Sequence, residues 1–392
     1  MDDTLVLTDE KVLALARMTL ADHLSLHAEG SKCTTDDLLE VLLGVAVTQG
    51  TLASVCADLA TRPDADTIGL YLQAQLTVEK LPQLQSEVNQ ALVAQLPGRL
   101  RRRKVHVAID MHDRCYYGTT RQADGLWVGG EAKAGTTRFY RLASAYVLVH
   151  HERLTLGICF VTPDLTTLDV VQCLVAQIRA QNLDLELLLL DRGFAGVAIL
   201  QYLQEQKLPA LVACTIRGKQ GGTRALCQGR ASYRTPYTFC KDTAEPFTVE
   251  MAVCRVFSTA KRTKRHKPKA KWQLFILINV QLSIRQVRRL YRRRFGIESG
   301  YRSGIQVRGW TTSPNPAYRF LLMALPLLLC NLWVLLRWLF TQVPRRGRRK
   351  IAEERFRLTR FANFVWHAIQ RHRGYIDRIV AVVAPIAEIR NY

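Results

Sequence analysis

LDLELLLLDRGFAG, residues 183–196, decides the fold. Its central run is too apolar to let either side meet water, so it reads as a strand buried on both faces, and such strands belong to sheets covered by helices. The run ends at Asp191 and the chain turns at Gly193. Just upstream, TTLDVVQCLVAQIRAQ (166–181) has the period of an amphipathic helix. Just downstream, VAILQYLQEQ is a second helix and LPALVAC (208–214) another buried strand. Further back, KVHVAIDM (104–111) is an apolar β run closing on Asp110. TRFYRLASAYVLVH (137–150) and RLTLGICFVT (153–162) read as two strands joined by a tight turn at His151-Glu152. Strand, strand, strand, helix, central strand, helix, strand predicts an α/β domain on a mixed five-stranded sheet.

Asp110 and Asp191 thus close two strand patterns. Ligand sites in open sheets gather at strand carboxyl ends, although a terminal aspartate is equally a turn residue. A third carboxylate comes from SIRQVRRLYRRRFGIESGYRSGI, residues 283–305. Ser283 with Gln286 is a capping-box start. At 100° per residue, Tyr291, Arg294, Glu298, Arg302 and Ile305 share an arc of roughly 80°. Ile284 and Val287 extend that stripe, while Arg285, Arg289, Arg292 and Arg293 point elsewhere. An inward carboxylate with a guanidinium one turn away on each side is either a structural ion pair or a catalytic Glu held by Arg. Three carboxylates brought together would repel one another unless divalent metal offsets their charge. Mg²⁺ takes a few carboxylates plus water and phosphate oxygens, and two such ions serve phosphoryl transfer.

The charge favours that chemistry. The 392 residues carry +22, and 48% hydrophobic content allows a large core in two or three domains. Residues 1–98 hold five Lys/Arg against fourteen Asp/Glu, a net of −9, which leaves +31 on the remainder. A polyanionic partner is expected, lying against the later part of the chain. Ten cysteines without a C-x-x-C pair read as reduced thiols of an intracellular protein; Cys227, Cys240 and Cys254 lack the close pairs of a zinc site. The acidic start MDDTLVLTDE has no signal pattern. FLLMALPLLLCNLWVLL (320–336) contains Pro326 and Asn331 and is shorter than a spanning helix needs, so a helix buried in a large domain is expected.

The rest of the chain sets the domain plan. Residues 1–98 read as an all-α N-terminal domain, in which a helix, short turn and small-residue helix could be a DNA-reading helix-turn-helix or plain scaffolding. The core starts at 99 and runs to 214. Residues 215–275 form a mostly β insertion carrying KRTKRHKPKAK (261–271), where Lys261, Arg262, Lys264, Arg265 and Lys267 are candidates for DNA phosphates. The core resumes over 276–342, and 343–392 is a basic helical region whose arginines are further phosphate candidates and whose Phe356, Phe361, Phe364 and Trp366 read as packed.

These blocks resemble the DDE transposases of prokaryotic insertion sequences with the Tyr-Arg-Glu-Lys signature, in particular the group first associated with haloarchaeal elements. Tyr291, Arg294 and Glu298 match the signature spacing, and Ile305 stands where it has Lys; Arg302 offers a basic group on the same face. IDMHDRCYYG (109–118) and LLLLDRGF (187–194) match the two Asp blocks, and the likeness spans roughly residues 100–340 in the order the family has them. The resemblance implies an RNase H-like core with its β insertion ahead of the Glu helix. It implies two Mg²⁺ (or Mn²⁺) on Asp110, Asp191 and Glu298, with cleavage at transposon ends followed by attack of the freed 3′-hydroxyl on target DNA. Tyr291, Arg294 and Arg302 would hold phosphates, and Trp272 would stack on a displaced base or be a buried strand residue. Asp113, beside His112, would be an extra ligand or hold a turn. A homodimer on double-stranded DNA in the prokaryotic cytoplasm, without a membrane, completes the expectation; a non-transposing nuclease or an inactive DNA-binding protein on the same core is the alternative.

Overall fold

The computed structural model describes residues 6–30, 32–61, 63–119, 125–149, 152–243, 245–257, 270–343 and 350–377; of 149, 152, 295–303 and 350 it describes the backbone only. The chain divides into two compact units. The first holds Met1–Leu84, Ile305–Leu329 and Leu336–Tyr392, the second Gln85–Gly304 and Cys330–Leu335.

The helices, in chain order, are α1 (Asp9–Ala21), α2 (Thr35–Val47), α3 (Leu52–Asp58), α4 (Ala65–Gln75), α5 (Leu81–Ala94), α6 (Thr167–Ala180), α7 (Val197–Glu205), α8 (Ile284–Ile305), α9 (Pro316–Phe340) and α10 (Leu358–Arg373). The strands of the large sheet are β1 (Lys104–Cys115), β2 (Val128–Lys133), β3 (Thr136–Val149), β4 (Glu152–Val161), β5 (Asp184–Leu190), β6 (Ala210–Cys214), β7 (Tyr233–Phe239), β8 (Phe247–Phe257) and β9 (Ala270–Ile278).

In the second unit the sheet runs β3-β1-β5-β6-β9-β8-β7, and β2 and β4 share the outer edge of β3. β1, β5 and β6 are parallel and every other pairing is antiparallel. The expected mixed sheet is present, but its size is corrected. Among the described residues it has nine strands, not five. β7 and β8 lie within the expected insertion, and β9 crosses its expected end at 275; all three continue the core sheet beyond β6, because β9 pairs with β6 from Leu274–Cys214 to Ile278–Ala210. A hairpin with an open edge is completed most cheaply by a neighbour whose backbone groups are equally unpaired.

α6 crosses from β4 to β5 and α7 from β5 to β6, as the parallel pairs require. Thr166 caps α6 with Asp169 in a reciprocal box. Gly157 on β4 lies against α6, and a Cβ there would fall 2.0 Å from the Gln177 Oε1. β4 is an edge strand, and side-chain amides close it. Asn331 accepts from Thr155 N at 2.8 Å and donates to Thr155 O at 2.9 Å. Asn89 does the same for Ile158 at 2.8 and 3.0 Å, and Gln85 accepts from Phe160 N at 2.6 Å. These amides stand in for a further strand and leave no sticky edge there.

α9 was expected as a buried helix. It is long and apolar enough to cross a membrane, and 83% of its most apolar window is buried inside the protein. Asn315 caps it, and Pro326 lies within it.

The first unit corrects the expected separation of an N-terminal domain from a basic C-terminal region, since α10 folds with α1 and α2. Glu40 on α2 is 1% exposed and accepts from Arg373 Nε at 2.6 Å, Arg17 at 3.2 Å and His372 Nδ1 at 3.3 Å. Arg373 also bonds Asp37, and Arg371 pairs with Asp9 at 2.5 Å. A buried carboxylate needs such partners. Two arginines read as phosphate contacts are therefore committed to the acidic N-terminal helices. Phe356 packs edge-on against Phe361 and Phe364, as expected of core aromatics. All ten cysteines are free, four of them buried.

Candidate active site

The site is built from strand parity. Ala108 on β1 and Leu187 and Leu189 on β5 pack in one cluster with Val287, Leu290 and Tyr291 of α8. Side chains two apart on a strand share a face, so Asp110 and Asp191 face α8 as well. β1 and β5 are in register at Ile109–Leu190, and the two aspartates are the next residues along each. Asp191 closes β5, but β1 does not end at Asp110 as expected: its pairing with β3 carries it on to Cys115, and Asp110 lies within the strand just where the parallel β1–β5 pairing stops, side by side with Asp191.

α8 starts where Ser283 and Gln286 cap it reciprocally, Ser283 N donating to Gln286 Oε1 at 2.8 Å and Gln286 N to Ser283 Oγ at 3.3 Å. Val287, Leu290, Tyr291 and Arg294 are buried, while Arg285, Arg289, Arg292 and Arg293 are exposed. The helix continues through Gly296 and Gly300 to Ile305. Glu298 and Arg302 lie on its course, but their side chains are outside the described residues. Ile305, at the signature's Lys position, is 42% exposed.

Arg294 stands between the aspartates. Its guanidinium is 4.0 Å from Asp110 Oδ2 and 3.5 Å from Asp191 Oδ1. It lies 5.1 Å from the Tyr291 ring centroid, a cation–π contact. Tyr291 packs edge-on against Phe275 at 4.7 Å and its hydroxyl donates to Asp191 Oδ1 at 3.3 Å. Burial pushes the Tyr291 phenol up to about 12, against the opposing pull of Arg294. It therefore stays a proton donor at any ordinary pH. Backbone amides complete the frame, Met111 N donating to Asp110 Oδ1 at 2.9 Å and Arg192 N to Asp191 Oδ1 at 2.6 Å.

Two carboxylates aimed at one cation are the donor chemistry of a hard divalent ion. The long Arg294 contacts show that the pair draws positive charge without a close bidentate bridge. Among the described residues no three His, Cys, Asp or Glu side chains form a metal group; the third donor expected, Glu298, is one whose side chain is not described. The residues present fit a divalent metal as two of its ligands.

Asp113 is neither an added ligand nor a turn residue. Three positions beyond Asp110 on β1, it points to the opposite face, where Arg141 Nε donates at 2.6 Å and Lys133 Nζ at 3.0 Å. Burial raises its carboxyl, but these two cations outweigh that and hold it below the usual range. Sequence reading missed this network, although the odd spacing from Asp110 signalled it. Asp113→Asn is expected to lower stability by about 2 kcal/mol at neutral pH while leaving DNA cleavage unchanged. A carboxyl depressed in the fold stabilises above its unfolded value and loses that contribution as pH falls through its folded one. The gap between mutant and wild type should therefore close below about pH 4. Thermal melts across pH, with a cleavage assay beside them, check both statements.

Trp272 on β9 is half-buried, facing its cross-strand partner Arg255, whose guanidinium lies 6.0 Å from the ring. Lys261, Arg262, Lys264, Arg265 and Lys267 lie outside the described residues.

No curated protein matches the sequence. Among solved structures, the cryo-electron microscopy structure of the piggyBac transposase synaptic complex with hairpin DNA is similar over 100% of this chain and 78% of that one, with a TM-score of 0.49 and 10% identity. The model of the Transposase DDE domain family matches residues 101–314, more than half of the chain. That stretch spans both aspartates and the whole of α8, and the chain belongs to the DDE transposases, enzymes of DNA transposition that use divalent metal ions.

Proposed function

We propose that the protein is a cut-and-paste transposase of the insertion-sequence group with the Tyr-Arg-Glu-Lys signature, the haloarchaeal type, acting on double-stranded DNA at transposon ends and at the target. The observation that carries this reading is the pair Asp110 and Asp191, side by side where the parallel β1–β5 pairing stops, with Arg294 between them. The strand order β4-β3-β1-β5-β6, three antiparallel strands followed by two parallel ones, supports an RNase H-like core.

Asp110, Asp191 and Glu298 would hold two Mg²⁺ (or Mn²⁺). Bound there, the ions would supply charge stabilisation at the attacking and leaving oxygens of the phosphodiester. The chain's own residues do the rest. Tyr291 fixes the Asp191 carboxylate through its hydroxyl, and its ring supports Arg294 from one side. Arg294, and Arg302 two turns further along α8, would draw the scissile phosphate toward the carboxylates. Lys261, Arg262, Lys264, Arg265 and Lys267 would bind the flanking backbone, with affinity that falls steeply as salt rises. A homodimer would bring two DNA ends together in the cytoplasm of a prokaryotic host.

The test is full-length protein incubated with Mg²⁺ and DNA bearing the element's ends. End cleavage followed by joining to a target supports the reading. Cleavage without joining favours the nuclease alternative, and neither product overturns both.

A further inference from the structure

α6 and β4 meet through matched positions. Gly157 on β4 lies so close under Gln177 on α6 that a Cβ there would strike the amide. α6 connects two strands of the same direction, so it runs back along β4. Two residues up a strand cover about 6.8 Å, and four residues back along a helix about 6 Å. Both steps keep the same face. They lead from Gly157 to Cys159 and from Gln177 to Cys173, which makes the two cysteines the next facing pair. The Gln177 amide joins the two elements at this point, donating to Ile158 O at 3.1 Å and to Cys173 Sγ at 3.4 Å. The Cys159 thiol donates to the Cys173 sulfur. Met111, Ala143 and Cys159 are paired directly across β1, β3 and β4, so the thiols lie on the face of the sheet opposite to Asp110.

The two sulfurs are not equivalent. Cys159 is 3% exposed, whereas Cys173 is half-buried at the surface of α6. Donating the shared hydrogen bond, together with burial, pushes the Cys159 thiol up. Accepting it, with help from Gln177, outweighs burial at Cys173 and brings that thiol below its ordinary value. Elsewhere burial dominates, and it pushes Cys33, Cys214 and Cys254 up to about 11. The thiolate is the nucleophilic form of cysteine. An accessible sulfur that favours it, touching a buried sulfur that keeps its proton, has the order of an attacking and a resolving thiol.

We propose that Cys173 and Cys159 are a peroxide-reactive pair, Cys173 the attacked sulfur and Cys159 the resolving one, which closes to a disulfide between α6 and β4. The Cys173 thiolate attacks one oxygen of hydrogen peroxide. The O–O bond breaks, hydroxide leaves and takes up the proton lost by Cys173, and a sulfenic acid remains. The Cys159 sulfur then attacks the Cys173 sulfur and gives up its proton, and the S–O bond breaks as the second water departs. Two thiols are oxidised to one disulfide and one peroxide is reduced to two waters. The bridge forms away from the aspartates and does not depend on the transposase reading.

The test treats full-length protein with about one equivalent of hydrogen peroxide, alkylates the remaining thiols and weighs the digested peptides by mass spectrometry. The expected product joins the peptides that hold Cys159 and Cys173, forms at least about tenfold faster than exposed Cys240 is oxidised, and reopens with a dithiol reductant. Cys159→Ala is expected to leave Cys173 as a sulfenic acid that a 1,3-diketone captures, and Cys173→Ala to leave Cys159 a free thiol. Wild-type protein in which both cysteines are still alkylated after Cys240 has been oxidised overturns the pair, whatever the variants do. A bridge from either residue to another cysteine overturns it as well. Sulfenic acid on Cys159 in Cys173→Ala overturns the assignment of attacking and resolving sulfur.

Discussion

Asp191→Asn abolishes end cleavage and joining, with a loss of about 10³-fold or more, equivalent to about 4 kcal/mol of barrier, and leaves the protein folded. The amide keeps the shape and can still accept from Arg192 N, which bonds Asp191 at 2.6 Å. What it loses is the negative charge, and with it the attraction for a divalent ion. The Arg294 contact at 3.5 Å is to a carboxylate 36% exposed, so its loss should cost under about 1 kcal/mol in stability. Product formation on end-bearing DNA and the melting temperature report the two effects separately. Undiminished activity in the mutant would remove Asp191 from the site.

Asn331→Leu should destabilise the protein by about 2–4 kcal/mol, although it places the favoured residue type in the most apolar helix of the chain. Hydropathy alone predicts a gain. Asn331, however, is 1% exposed and is the partner of both backbone groups of Thr155. Leucine leaves a buried N–H and a buried C=O without partners at the edge of β4, and each bears its full desolvation penalty. Chemical denaturation of the two proteins decides the sign; a stabilised mutant would refute the edge-closing role of the amide.

The two predictions differ in how far the sequence reaches. Asp191 was legible because a buried strand and its end are written within eight residues, and the inward stripe of α8 within twelve. The burial of Val287, Tyr291 and Arg294, with Arg285, Arg289, Arg292 and Arg293 outside, follows the helical period. Asn331 stood out in sequence only as a polar interruption, because its partner lies 176 positions away.

Other differences share that cause. Asp113 looked like a neighbour of the first ligand, but strand alternation sends it to Arg141 and Lys133. The basic C-terminal helix looked like a phosphate contact, but Arg371 and Arg373 close on Asp9, Asp37 and Glu40. Net charge by segment says which partners a segment can attract; it does not say that the first claimant is another part of the same chain.

By itself the sequence determined the helices and strands of the core, the aspartate that closes β5 and the arginine-bearing face of α8; that β1 runs past Asp110 to Cys115 it did not. Each is set by a local period of two or 3.6 residues, which needs no knowledge of neighbours. Only the tertiary structure decided that β7, β8 and β9 extend one sheet, that α10 belongs with α1 and α2, and that Arg294 lies between Asp110 and Asp191. Those outcomes depend on which unpaired backbone edges and which opposite charges meet across long stretches of chain, and no local pattern encodes that choice.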